Sequence, residues 1–323
     1  MTFFMPKACS VGRLLCLAAI GLLASAAVAS AQELFKSPDE AAAALAAAAR
    51  SSNIDQIQSI LGVRGREIVS SGDQVADAAD RERFIVAYDN RHSITEQKDK
   101  ATLVIGQDDF PFPIPLVRVR DQWRFDTEAG RKEILYRRIG RNEFNAIQAS
   151  LAFADAQNDY AAKDRGQGVG VYAQRIISRP GKKDGLYWET APGEEQSPLG
   201  ELAAEAAAEG YRAGAKPQPF HGYYYKVLKG QGPAAPGGAA DYVVGNRMIG
   251  GFGLLAYPAD YGNSGIMSFI VNHDGTVYQK DLGLATRRIA ANMRNFNPDK
   301  GWEKVSPVGD AKLDEAGSAG KRQ

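Results

Sequence analysis

Residues 117–160, VRVRDQWRFDTEAGRKEILYRRIGRNEFNAIQASLAFADAQNDY, decide the fold class, because the hydrophobic period changes within them. At the start, apolar and charged residues alternate. The pattern predicts a β-hairpin across Asp121-Gln122, with Val117, Val119, Trp123 and Phe125 on one face. Arg118, Arg120, Arg124 and Asp126 fall on the other face, and a slip of one residue would bury the arginines. From Glu128 to Tyr160 the period lengthens to that of a helix, with Ile139, Phe144, Ile147 and Leu151 as its apolar stripe. Arg131, Lys132, Arg137, Arg138 and Arg141 crowd its first half. A short-period segment feeding a long helix places the chain in the α+β class.

Upstream the pattern is helical. Ser37-Pro38-Asp39-Glu40 is a capping box with proline at the first helical position, opening an Ala-rich helix to about Arg50. Ile54, Ile57, Ile60 and Leu61 mark a second helix. Phe84, Ile85 and Tyr88 mark a third, from about Asp80 to Asn90. Ala101–Ile105 follows as a short strand, and the prolines at 111, 113 and 115 force an extended segment. Helices followed by a curved antiparallel sheet with a Trp-bearing strand resemble the cone-shaped domains of the nuclear transport factor 2 type, here over residues 32–128.

Downstream, turns at Gly166-Gln167-Gly168 and Pro180-Gly181 precede a helix predicted from Ser197-Pro198 to Gly210. Strands are expected at His221–Leu228 and Ile249–Tyr257. A hairpin is expected over Gly265–Lys280, folded at Asn272-His273-Asp274-Gly275. A long helix on a four-stranded antiparallel sheet, over residues 129–305, resembles the globular part of type IV pilins. Their N-terminal methylated helix is absent from this pattern, so the likeness implies architecture and not filament assembly.

Several separated motifs recur together: Arg138-Ile139-Gly140-Arg141-Asn142-Glu143, Asp184-Gly185-Leu186-Tyr187-Trp188, Ser197-Pro198-Leu199-Gly200, His221-Gly222-Tyr223-Tyr224-Tyr225 and Tyr278-Gln279-Lys280-Asp281-Leu282-Gly283. Through them the chain resembles a family of exported bacterial proteins catalogued as domain of unknown function 2950, over roughly residues 33–305. The resemblance implies a periplasmic or secreted location and two packed halves. It carries over no catalytic or binding residue.

The N-terminus points the same way. Lys7 and Arg13, the apolar run Leu14–Ala29 and the small residues Ala29-Ser30-Ala31 are expected to form a cleaved signal peptide over residues 1–31. Cleavage would leave no integral membrane segment. Cys9 and Cys16, the two cysteines of the chain, lie within this leader. The mature body would therefore hold no disulfide, thiolate nucleophile or cysteine-bound metal. Removing Lys7 and Arg13 from 39 basic residues leaves 37 against 38 acidic ones, a balance that does not suit a nucleic-acid partner. Residues 306–323, rich in Gly, Ala, Lys and Asp, are expected to be a flexible tail.

The chain offers little catalytic signal. No G-x-S-x-G elbow occurs, and Gly262-Asn263-Ser264-Gly265 has the wrong spacing for one. The three histidines are His92, His221 and His273. Pairing one of them with Ser264 and Asp274 is the nearest approach to a hydrolytic triad. Asn272-His273-Asp274-Gly275 is turn chemistry, and Gly166-x-Gly168-x-Gly170 follows a helix where a dinucleotide fingerprint would follow a strand. No catalytic residue, cofactor or metal ligand is assigned. The aromatic residues are more informative, since rings with polar edges suit glycan and peptide surfaces. Trp188, His221, Tyr223, Tyr225 and Tyr261 are the expected binding residues, although alternation sends Tyr223 and Tyr225 to one strand face and Tyr224 to the other. The basic run of the long helix is expected to be a solvated face paired with Glu128, Glu133 and Glu143.

The expectation is an exported periplasmic protein, a non-enzymatic binding or accessory factor of the envelope with a protein or glycan partner. Its rivals are a hydrolase of envelope polymers, with carboxylates or a Ser-His pair at the domain junction, and a pilus-like structural subunit. The sequence leaves the oligomeric state open.

Overall fold

In the computed structural model, residues 32–191, 193–211 and 218–305 are described, and both the expected leader and the expected tail lie outside them. The chain is a mixed α+β protein with seven α-helices among these residues. Helix α1 (Pro38–Arg50) starts at the capping box: Ser37 Oγ accepts from the Glu40 amide at 3.1 Å, while Glu40 accepts from the Lys36 amide at 2.8 Å. Asn53 caps α2 (Ile54–Leu61), and α3 (Gly65–Val69) is a single short turn beyond it. Helix α4 (Gln74–Asn90) begins well before Asp80, the expected start, because Asp73 caps it through the Val75 and Ala76 amides.

A five-stranded antiparallel sheet follows, built from β1 (His92–Gln97), β2 (Lys100–Ile105), β3 (Phe110–Pro111), β4 (Leu116–Val119) and β5 (Gln122–Phe125). Its order is β1-β2-β4-β5, with β3 against the free part of β2. The register of the β4–β5 hairpin differs from expectation. The turn falls on Arg120-Asp121, where Arg120 takes φ +57°, and Leu116 faces Phe125 while Arg118 faces Trp123. Leu116, Trp123 and Phe125 therefore share the buried face, Val117 and Val119 lie opposite, and Arg118 lays its guanidinium over the Trp123 ring. Phe35, Leu45, Ile57, Ile60 and Ile114 complete this core.

Helix α5 (Thr127–Ala161) then runs for 35 residues. Gly130 sits where the helix meets the Pro113–Ile114 backbone so closely that a Cβ would lie 2.5 Å from the Pro113 carbonyl oxygen. The buried stripe runs through Leu135, Ile139, Ala146, Phe153 and Tyr160, whereas Phe144, expected to be part of it, is exposed. Helix α6 (Gly200–Ala208) starts later than Ser197, which instead forms a turn closed by the Gly200 amide on the Ser197 carbonyl.

The remaining strands are β6 (Tyr223–Leu228), β7 (Gly230–Gln231), β8 (Ala240–Asp241), β9 (Val243–Val244), β10 (Arg247–Met248), β11 (Gly253–Pro258), β12 (Met267–Asn272) and β13 (Tyr278–Asp281). After α7 (Thr286–Asn292) come β14 (Asn295–Phe296) and β15 (Glu303–Lys304). The main sheet has five strands rather than four, in the antiparallel order β15-β13-β12-β11-β6. β7 sits between β14, which it meets parallel, and β8, while β9 and β10 form a separate hairpin. One face of the main sheet presents Tyr223, Leu254, Ala256, Phe269 and Val271 to Phe153 of α5. The other presents Leu228, Leu255 and Ile270 to Ala290 of α7 and to Phe296. Alternation along β6 thus places Tyr223 and Tyr225 on the α5 side and Tyr224 against Tyr257 on the other. Among the described residues no helix is long and apolar enough to cross a membrane.

Two glycines of α5 give opposite outcomes. Gly130→Ala, which drives a methyl into the Pro113–Ile114 backbone, should destabilise by about 1–3 kcal/mol. Gly140→Ala, with nothing within 4 Å of the added carbon, should be neutral or stabilise by up to ~1 kcal/mol. Urea unfolding of the two variants checks both signs.

Candidate functional site

Three polar residues of α5 organise the junction between the first sheet's helices and the second sheet. Arg138, although in the basic run, is buried. Its guanidinium donates to the Glu67 carbonyl at 2.9 Å, to Asn263 Oδ1 at 2.6 Å and to the Ile68 carbonyl. Burial lowers its pKa from the usual arginine value, with Asp77 and Asp80 partly restoring it. One turn on, Asn142 donates to the Ser264 carbonyl at 2.9 Å, and Glu143 accepts the Ile266 and Met267 amides at 2.9 Å each. The rest of the basic run pairs with Glu128 and Glu133 as expected but not with Glu143, which is taken by the backbone amides: Arg131 pairs with Glu128 and Glu67, Arg137 with Glu133, and Arg141 with Asp80.

Beside this lies Asp73. Its Oδ1 caps α4, while Oδ2 accepts the Tyr211 hydroxyl and the Gly222 amide, both at 2.8 Å. Tyr211 oxygen in turn accepts the His221 amide at 3.2 Å. His221 and Gly222 both have positive φ, +50° and +75°, which turns their consecutive amides toward this acceptor pair. Glycine is required at 222, since a Cβ would meet Asn142 Nδ2 at 2.5 Å. A left-handed backbone at a non-glycine residue carries strain, of the kind found at functional sites. The His221 ring centre lies 4.0 Å from that of Phe220, with the rings tilted at 48°, and 5.7 Å from that of Tyr211, and Nε2 is 3.6 Å from Glu209. Desolvation lowers its pKa, with Glu209 and Asp73 opposing and Arg141 assisting. Burial, followed by the Asp73 charge, pushes the Tyr211 hydroxyl far above the usual tyrosine value.

The residues expected from sequence divide in two. His221 stands at the rim of the junction, with a side chain about one-fifth exposed. Tyr223 has no exposed surface; its hydroxyl donates to the Met267 carbonyl, so it belongs to the core. Tyr225 points its hydroxyl inward, buried and without a hydrogen-bond partner among the described residues, with Asp73 adding to the rise in its pKa that burial causes. Tyr261 is only partly buried and donates to Asp281 at 3.2 Å. Its loop adjoins the junction through the Ala259 amide, which bonds the Gly222 carbonyl. Trp188 is held by a different segment, with Arg165 and Lys183 within 6 Å of its ring. The Ser264 triad does not assemble: its Oγ accepts from the Asp260 amide and donates to the Asp260 carbonyl, while His273 packs against Tyr242 and Phe252. Among the described residues no cluster of His, Cys, Asp or Glu is placed to hold a metal ion.

Sequence reasoning missed Asp73, Tyr211, Glu209 and the burial of Arg138. Asp73 carried a usable signal, an N-cap acid before a helix, whereas Tyr211 gave none. Chemically the junction offers an imidazole whose burial favours the neutral form, an acidic neighbour and aromatic edges, with the Asp73 and Ser264 oxygens already taken.

Residues 32–305 match the model of a family described as protein of unknown function, DUF2950. No curated protein and no solved structure matches the chain.

Breaking the clasp has a defined cost. Tyr211→Phe should lose about 0.5–1.5 kcal/mol of stability and Asp73→Ala about 2–4 kcal/mol, the second losing the helix cap as well. A double-mutant cycle should show the two losses to be non-additive. Because burial lowers the His221 pKa, the unfolded chain takes up that proton first as pH falls. Its contribution is therefore intact above the ordinary histidine value of 6.5 and lost as pH drops through it. His221→Gln should flatten the change in urea midpoint between about pH 7.5 and 5.5.

Proposed function

Because the chain belongs to the DUF2950 family over residues 32–305, we propose that it is an exported protein that binds an envelope protein or glycan without turning it over. Recognition falls to the rim of the junction: Phe220, His221, Glu209 and Tyr261. The observation that carries this reading is the state of the buried oxygens beneath. Both Asp73 oxygens and Ser264 Oγ are taken by hydrogen bonds within the fold, and among the described residues no hydroxyl donates to His221. An aromatic and polar rim over an acid and a serine already committed to the fold suits binding better than acid–base or nucleophilic chemistry.

The leader over residues 1–31 and release into the periplasm or medium belong to the same proposal, supported by the n-, h- and c-regions of the sequence. So does a division into halves at 32–128 and 129–305. The buried cores support it, one drawn from residues 35–125 and the main one of the second half from residues 146–277. The first half resembles a nuclear transport factor 2-type cone in its order of helices and sheet. The second resembles a pilin head in laying α5 across β11 and β12. A hydrolase remains the second reading on one observation, the strained, neutral His221 beside Glu209.

Purified protein incubated with peptidoglycan sacculi and with envelope extract distinguishes the two. Binding predicts saturable retention without released product, weakened about fivefold or more by His221→Ala or Tyr261→Ala. Product release that disappears in a folded His221→Ala variant would establish the hydrolase instead. Mass spectrometry of the exported protein should find Gln32 at its N-terminus; a chain still beginning at Met1 contradicts export by cleavage.

A further inference from the structure

A second group of side chains gathers where the end of α5 meets residues 163–197. Arg165 has only 8% of its side chain exposed, and its two terminal nitrogens grip the Glu195 carboxylate at 3.0 and 3.1 Å. Lys163 holds the same carboxylate at 2.6 Å. Trp188 lies with the Arg165 guanidinium 5.0 Å and the Lys183 ammonium 5.4 Å from its ring centre. The Leu199 amide bonds the Leu186 carbonyl at 3.0 Å, which brings the segment carrying Ser197 beside the one carrying Trp188.

Three donors in this group have no hydrogen-bond partner among the described residues: Arg165 Nε, Trp188 Nε1 and Ser197 Oγ. Trp188 and Ser197 are 7% and 5% exposed. Folded proteins rarely leave a buried donor unpaired, and here three such donors lie on neighbouring segments. The local charge specifies the acceptor's sign. Lys163 and Arg165 share a single carboxylate, that of Glu195, which engages only the terminal nitrogens of Arg165, while Lys183 pairs with no acid among the described residues and the neighbouring Asp184 is taken by Arg175 and Arg179. The Nε edge of the guanidinium is buried and makes no hydrogen bond among the described residues, and its geometry suits a second planar anion.

We propose that Arg165 Nε, Trp188 Nε1 and Ser197 Oγ form a binding site for the carboxylate group of a ligand, with Glu195 as its internal competitor. The site adds to the binding reading given above. Its test uses free carboxylates, so failure here leaves the junction reading standing.

The chain has three tryptophans, Trp123, Trp188 and Trp302, so 15N-indole labelling yields three resolved reporters, with Trp188 assigned through Trp188→Phe. Titrants are sodium acetate, the dipeptide Ala-Ala with a free C-terminus, the same dipeptide amidated, and sodium chloride at matched ionic strength. The Trp188 signal should move saturably with either free carboxylate and stay still with the amide and chloride. The tighter of the two carboxylates identifies the source as a free acid or a peptide terminus. Arg165→Lys should weaken binding about tenfold or more, Ser197→Ala should weaken it severalfold, and Glu195→Gln should strengthen it. Unmoved Trp123 and Trp302 signals report an intact fold in each variant. The proposal is overturned by an equal response to chloride, by no saturable movement with either carboxylate, or by an indole-to-water cross-peak that carboxylate leaves unchanged.

Discussion

The Asp73 carboxylate accepts four hydrogen bonds, two from the first turn of α4 and two from residues about 140–150 positions further along the chain. One oxygen thus ends a helix and the other holds the His221-Gly222 turn. A buried carboxylate would be costly if left short of donors, and here each oxygen has two. The positive φ values at His221 and Gly222 accompany this arrangement, in which both amides are aimed at the Asp73–Tyr211 pair. The position of the His221 ring, and so the character of the rim, is set by an acid in the first half of the chain.

Helix α5 provides the second half of the constraint. Arg138, Asn142 and Glu143 lie on adjoining turns and bind only backbone groups and one amide side chain, fixing the 260–267 loop against the end of α3. Asn263 closes the circuit by donating to the Ser70 carbonyl and to Asp260. Ser71, next in the chain, donates its amide to Asp77, and its hydroxyl oxygen accepts from the Asp73 amide. Junction polarity is therefore spent on positioning. The accessible chemistry that remains lies in the ring edges of the rim, which favours recognition over turnover.

Features governed by neighbouring residues were legible in the sequence. The capping box at Ser37–Glu40, the span of α5, the hairpin at Asn272–Gly275 and the two faces of β6 all follow from local period and turn chemistry. The β4–β5 register was not legible, because a left-handed Arg120 moved the turn back by one residue, and nothing in Arg-Asp-Gln announces that conformation. Helix α4 was placed too late, since its apolar residues gather near Phe84 while its true start depends on the cap at Asp73. The candidate site was half visible. His221 and Trp188 stood out by residue type, but the burial of Arg138 and the role of Tyr211 come from partners 125 and 138 positions away. A charge run reads as solvent-facing until its contacts are known.

Amide hydrogen exchange followed by NMR tests the central claim most directly. If the Asp73 carboxylate clasps the turn, the Gly222 amide exchanges as slowly as those of the buried strand β11 and in step with Val75 and Ala76 of α4. A Gly222 amide that exchanges as fast as an open loop, while β11 stays protected, contradicts the clasp and with it the account of how the rim is held.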